Sequence, residues 1–182
     1  PAMQRPKFWL ASLLLLSLLG CSKKSPKAED TRSPLFTGKE ATRDVLLYLP
    51  SDQKPGFVSL KRKIYSTESV VNQAKQLVQD LMEGPKTDGT ESAATACFGQ
   101  GAPHLELYLD GQPLAVLHLP SATVAGLPGG TSAEVATLYC LVRTLVANLP
   151  TVKRVQVLID GQQAESLRGH VDLMDPLTLS DF

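Results

Sequence analysis

Thr131-Ser132-Ala133-Glu134-Val135-Ala136-Thr137-Leu138-Tyr139-Cys140-Leu141-Val142-Arg143-Thr144-Leu145-Val146-Ala147-Asn148 is the stretch on which the fold turns. Val135, Leu138, Leu141, Val142, Leu145, Val146 and Leu149 return every three or four residues, the spacing that lines one face of an α-helix. Thr131 and Glu134 stand at the positions of a capping box, in which hydroxyl and carboxylate trade bonds with the first free amides. Pro150 marks the helix end. Val152 to Ile159 then reads as a strand, its apolar series interrupted by Lys153, Arg154 and Gln156, and Asp160-Gly161-Gln162 turns it.

A similar unit lies upstream. Thr67 to Glu83 places Val70, Val71, Ala74, Leu77, Val78, Leu81 and Met82 at helical spacing, and Gly84-Pro85 stops it. Leu105 to Leu109 alternates, and Leu114 to Leu119 follows across Asp110-Gly111, a strong hairpin signal. Each helix therefore leads to a strand ending in Asp-Gly-Gln. Lys86 to Gly101 and Val124 to Gly130 read as loops. Before the first helix, Val45-Leu46-Leu47-Tyr48-Leu49 reads as a buried strand stopped by Pro50. Phe57 to Tyr65 reads as its neighbour across turn residues. Ala164 to Leu167 pairs back after the last strand, and Gly169 to Leu177 closes the domain. The predicted order is ββαββαββ and the predicted class α+β. The expected architecture is a single mixed or antiparallel sheet with two amphipathic helices packed on one face. Leu77, Leu81, Leu138, Val142 and Leu145 are expected to fill the space between.

The N-terminal residues follow different physics. Arg5 and Lys7 precede an apolar run from Phe8 to Leu19, broken only by Ser12 and Ser17. That length suits the core of a signal peptide and is too short for a stable membrane span. Leu18-Leu19-Gly20-Cys21 resembles the lipobox of bacterial lipoproteins. The resemblance implies that Cys21 is diacylated on sulfur and becomes the mature N-terminus. Residues 1–20 are thus predicted to be a lipoprotein signal peptide (1–2 extraneous), 21–43 a lipidated flexible tether, and 44–182 the folded domain. The tether has almost no apolar content and spans on the order of 25 Å, so the domain works near the membrane. The expected location is the cell envelope, and in a Gram-negative cell the outer membrane facing the periplasm, because Ser22 rather than an acidic residue follows Cys21.

The 18 Lys and Arg balance 18 Asp and Glu, and losing Arg5 and Lys7 leaves a slight acidic excess. No electrostatic footprint for nucleic acid is present. Of three cysteines, Cys21 is assigned to lipid, leaving Cys97 and Cys140. They either pair as a disulfide, which an oxidising compartment permits, or Cys140 serves as a small apolar core residue.

Thr131 to Glu134, Leu138-Tyr139, Leu141-Val142, Thr144-Leu145, Val152 to Gly161, Gly169-His170-Val171-Asp172-Leu173 and Pro176-Leu177 together resemble the sporulation and spore-germination (GerMN) domain. Leu47-Tyr48-Leu49 and Leu81-Met82-Glu83-Gly84-Pro85 fit its first half. The resemblance covers Val45 to Leu177. The usual Ile-Pro-Pro-Gly-like stretch after the first helix is replaced here by Cys97-Phe98-Gly99-Gln100-Gly101. The resemblance implies an envelope lipoprotein with a part in assembly, similar to ring-building modules of transenvelope complexes. Sporulation or germination is implied by the family name alone.

Chemistry is sparse. His104, His118 and His170 show no metal-ligand spacing, there is no C-x-x-C, and no nucleophile elbow occurs. His170 and Asp172 could form an acid–base pair, but the favoured reading is that His170 satisfies backbone groups where the final segment docks. No cofactor, metal or catalytic residue is predicted. The leading expectation is a non-catalytic interaction module, anchored in the membrane through Cys21, that binds an envelope protein or itself. Its candidate contact is the second strand, at Val58, Lys61, Arg62, Lys63 and Ile64. A strand edge offers unpaired amides and carbonyls, although lysines also blunt such edges. The alternative is a binder of cell-wall polymer or a small cell-wall hydrolase.

Overall fold

The structure is a computed structural model and describes residues 41–86, 88–98, 106–109 and 113–182. The predicted signal peptide, nearly all of the tether, Cys21, His104 and the turn at 110–112 lie outside the described residues.

β1 (Thr42–Pro50) and β2 (Phe57–Tyr65) pair antiparallel, with Leu47 opposite Leu60. α1 (Val70–Glu83) begins three residues later than its apolar spacing suggested, because Ser69 caps it: the Ser69 hydroxyl accepts from the Asn72 amide at 3.2 Å. It ends at Gly84, whose φ of 72° is a left-handed position. A side chain there would also press within 3.0 Å of Ala96 Cβ.

β3 (Glu106–Leu109) pairs antiparallel with β4 (Leu114–Leu119). α2 (Ser121–Ala125) is a short helix that overlaps the start of the expected loop. α3 (Thr131–Asn148) ends where predicted and starts one residue earlier than a Thr131 cap would allow. β5 (Arg154–Ile159) runs parallel to β4, with Ala115 beside Val155. β6 (Gln162–Gln163) turns back from β5 through Asp160 and Gly161, whose φ values of 49° and 76° suit a tight primed hairpin turn. A 3₁₀ turn at Leu179–Asp181 follows.

The α+β class stands, but the single sheet does not. β1 and β2 form a sheet of their own, and β3-β4-β5-β6 form a second, mixed one. The order gains α2 and becomes ββαββααββ. Two physical reasons account for the difference. α3 is about 27 Å long and carries the chain back along β4, so β5 enters parallel, which no hairpin can achieve. α3 also lies along the outer edge of β1, where a strand joining the sheets would have to pair.

α3 is therefore not a one-faced surface helix. Thr137, Leu138, Cys140, Leu141, Val142, Thr144 and Leu145 are all buried, and the helix touches β1, α1 and β5. α1 keeps a single buried stripe of Ala74, Leu77, Val78 and Leu81. Leu77, Leu81, Leu138, Val142 and Leu145 are fully buried, as their spacing predicted.

Candidate interaction edge and neighbouring clusters

The two edges of the β1–β2 sheet differ. On the β1 side, the Leu46 and Tyr48 amides point away from β2. The Asn148 side chain accepts from Leu46 N–H at 2.9 Å and donates to Leu46 C=O at 2.7 Å. The Thr144 hydroxyl accepts from Tyr48 N–H at 3.1 Å. Asn148 thus does for β1 what a peptide unit of a neighbouring strand would do. Arg43 completes the seam by donating to Asn148 C=O at 2.8 Å and to Gln73 Oε1 at 2.5 Å.

On the β2 side, antiparallel register sends the backbone groups of Ser59, Lys61 and Lys63 outward, away from β1. The Gln76 amide covers Tyr65, accepting from its N–H at 2.8 Å and donating to its C=O at 3.2 Å. Among the described residues no strand pairs with β2 on that side. At the far end Phe57 lies 4.1 Å, ring to ring, from Tyr139, which also meets Phe182 edge-on at 5.8 Å.

The predicted contact residues divide by parity. Lys61 and Lys63 are exposed, and Lys63 pairs with Asp44 at 3.0 Å. Val58 is half-buried. Ile64, 3% exposed, is core, and Arg62, 8% exposed, points inward. Its guanidinium donates from Nε to Glu91 Oε1 at 2.8 Å, from Nη2 to Glu91 Oε2 at 2.5 Å, and to Gly84 C=O at 2.9 Å. Glu91 Oε2 also accepts from the Lys86 amide at 2.7 Å. The Arg62 guanidinium holds the Glu91 carboxyl below the usual carboxylate range, against the upward push of burial. Ile64 and Arg62 are therefore unavailable to a partner, which leaves the backbone edge and the outward lysines. A cleft of about 490 Å³ beside them gathers Lys61, Lys63 and Lys86 with Asp80 and Glu83. Its mixed charge selects no single class of small ligand.

The predicted capping box is not formed. Gly130 occupies the cap position without a side-chain bond, and Thr131 is already helical. The Glu134 carboxylate, with a side chain 1% exposed, turns inward to a later segment. It accepts from Val171 N–H at 2.9 Å, from His170 N–H at 3.2 Å, and meets His170 Nδ1 at 3.0 Å. Burial pushes its pKa up, but bonds from the Val171 and Arg168 amides and from His170 outweigh it and leave the carboxyl below its ordinary value. His170 therefore faces Glu134 and not Asp172, which accepts instead from the Met174 amide at 2.8 Å. This clasp docks the closing segment. Gln156 assists it by donating to Leu173 C=O at 2.7 Å.

His118 packs against Tyr108 at 5.5 Å, far in kind from a ligand cluster. Among the described residues no three His, Cys, Asp or Glu side chains converge on a metal position. No described helix is long and apolar enough to cross a membrane. Cys97 and Cys140 are both buried thiols.

Residues 46–165 match the family described as sporulation and spore germination, Germane. The chain belongs to this family. Its fold is shared with solved structures of low identity. A Clostridium perfringens protein assigned as a lipoprotein matches with a TM-score of 0.55 and 19% identity, over 80% of this chain and 95% of that one. The first GerMN domain of the sporulation protein GerM from Bacillus subtilis matches with a TM-score of 0.59 and 15% identity, over 76% and 98%. The tandem GerMN domains of the same protein match with a TM-score of 0.54 and 15% identity, over 81% of this chain and 49% of theirs. A search of the curated proteins returns no match. The Germane match reaches from β1 through the clasp helix and into the segment after β6, so it includes both the closed and the open edge.

Proposed function

We propose that this chain is a lipid-anchored, non-catalytic envelope module that binds an extended segment of another protein along the outer edge of β2. The observation that carries this reading is the asymmetry of the two-stranded sheet. Asn148 and Thr144 occupy the β1 edge, while Ser59, Lys61 and Lys63 present outward backbone groups on the β2 edge. Strand addition satisfies such groups, and alternate side chains set its specificity. A second copy of the chain is a poorer partner, because antiparallel β2–β2 pairing centred on the outward run would set Lys61 against Lys61, and like charges oppose such pairs. An acidic strand fits better. Membership of the sporulation and germination family and the lipobox-like boundary at Cys21 support an envelope setting.

A hydrolase finds little support. Glycoside cleavage needs two carboxylates at a set separation with one free to deliver a proton. Glu134, the buried carboxylate beside His170, has its oxygens taken up by amides.

The test is Lys61→Pro in the lipidated chain. Proline at an outward edge position removes the exposed N–H and leaves the β1 ladder intact. The expected result is normal thermal unfolding with loss of the partners recovered by crosslinking in intact cells. Unchanged recovery from a folded Lys61→Pro protein would refute the edge.

A further inference from the structure

We propose that Cys97 and Cys140 are joined by a disulfide in the exported protein, pinning the segment after α1 to the centre of α3. Cys97 is 3% exposed and Cys140 is fully buried. Thr137 stands one helical turn before Cys140 on α3, and its hydroxyl donates to the Cys97 carbonyl at 2.8 Å. The backbone at Cys97 is therefore already fixed against the face of α3 that carries Cys140. The Cys97 side chain is the largest of the causes that push the Cys140 thiol up, ahead of burial, as neighbouring sulfurs would. The same segment is held at its other end by β1: the Thr95 amide donates to Pro50 C=O at 2.9 Å, and Ala94 bridges to Ser51. Next to Cys97, Phe98 is buried to 2% exposure.

Bond formation removes two protons and two electrons from the thiols. The oxidant is a protein disulfide of the thiol–disulfide exchange type, which leaves as a dithiol after a mixed-disulfide intermediate. Attack requires a thiolate. Cys97 and Cys140 are both buried, so neither sulfur of the folded chain is within reach of a second protein. Exchange must then precede docking of this segment, and the finished bond is shielded from reductants by the same burial. Before folding, the bond closes a loop that joins α1's connection to α3 and restricts the unfolded chain.

The test is made on full-length protein recovered from membranes of cells that export it. The protein is denatured in excess alkylating reagent without reductant and then digested. Trypsin leaves both cysteines on the peptide 87–143, because no Lys or Arg stands between Lys86 and Arg143. A glutamyl endopeptidase separates them at Glu106. The expected tryptic peptide carries no alkyl group and is two hydrogens lighter than the dithiol. The glutamyl fragments should stay joined until reduced. Alkylation of both residues without prior reduction would overturn the proposal. As a second readout, reductant should lower the urea midpoint of the wild type and leave that of the Cys97→Ala/Cys140→Ala protein unchanged. A wild-type midpoint indifferent to reductant would overturn it as well.

Discussion

Arg62 stands between two lysines, and only its parity separates it from them. It shares a sheet face with Leu60 and Ile64, so its guanidinium enters the interior and must be paired there. Removing one partner of a buried ion pair strands the other charge. Glu91→Ala should therefore destabilise the domain by about 3–5 kcal/mol in urea titration, and a double Arg62→Met/Glu91→Leu exchange should recover most of the loss. Glu91 and Glu134 both have folded-state pKa values below their unfolded ones. Their stabilisation is thus complete above about pH 5 and is lost as pH falls through about 4 toward the folded values. Urea midpoints measured from neutral to acid pH should fall less steeply for Glu134→Gln than for the wild type. At this scale the sequence was only partly legible. Strand alternation was enough to place Arg62 inside, yet the basic run obscured it. Glu134 matched a local capping pattern, and only the fold brings residues 170 and 171 to its carboxylate.

Elements were easier to read than their partners. α1 and α3 follow from apolar spacing because a helix buries whatever lies on one stripe, regardless of what covers it. What covers α3 was hidden, since β1, α1 and β5 come from three distant parts of the chain. Leu145→Ala, at a fully buried position, should cost about 2–5 kcal/mol. Asn148 was visible only as the last helical residue. A side-chain amide sets its donor and its acceptor on separate atoms, as a peptide unit does, which lets Asn148 imitate a strand. Asn148→Ala leaves Leu46 N–H and C=O without their partner and should cost about 1–3 kcal/mol. Hydrogen exchange should show the loss first at Leu46.

For the whole molecule, the α+β class and the core were legible, and the sheet count was not. Strand signals are local, whereas which strands share a sheet depends on the path α3 takes between β4 and β5. The proposed membrane setting rests on residues before the folded domain. Cys21→Ser should abolish incorporation of a fatty-acid analogue that labels the wild type, and equal labelling of both would refute lipid attachment.

The side-chain seal on β1 sets a valence. A strand that adds to β2 extends the sheet by one place, and on the opposite side the helix blocks any further addition. Each copy therefore offers one open edge, and copies cannot be strung together edge to edge through this sheet alone. Any ring or larger array built from copies of the domain must draw its second contact from a different surface, and the number of strands bound per copy should count to one.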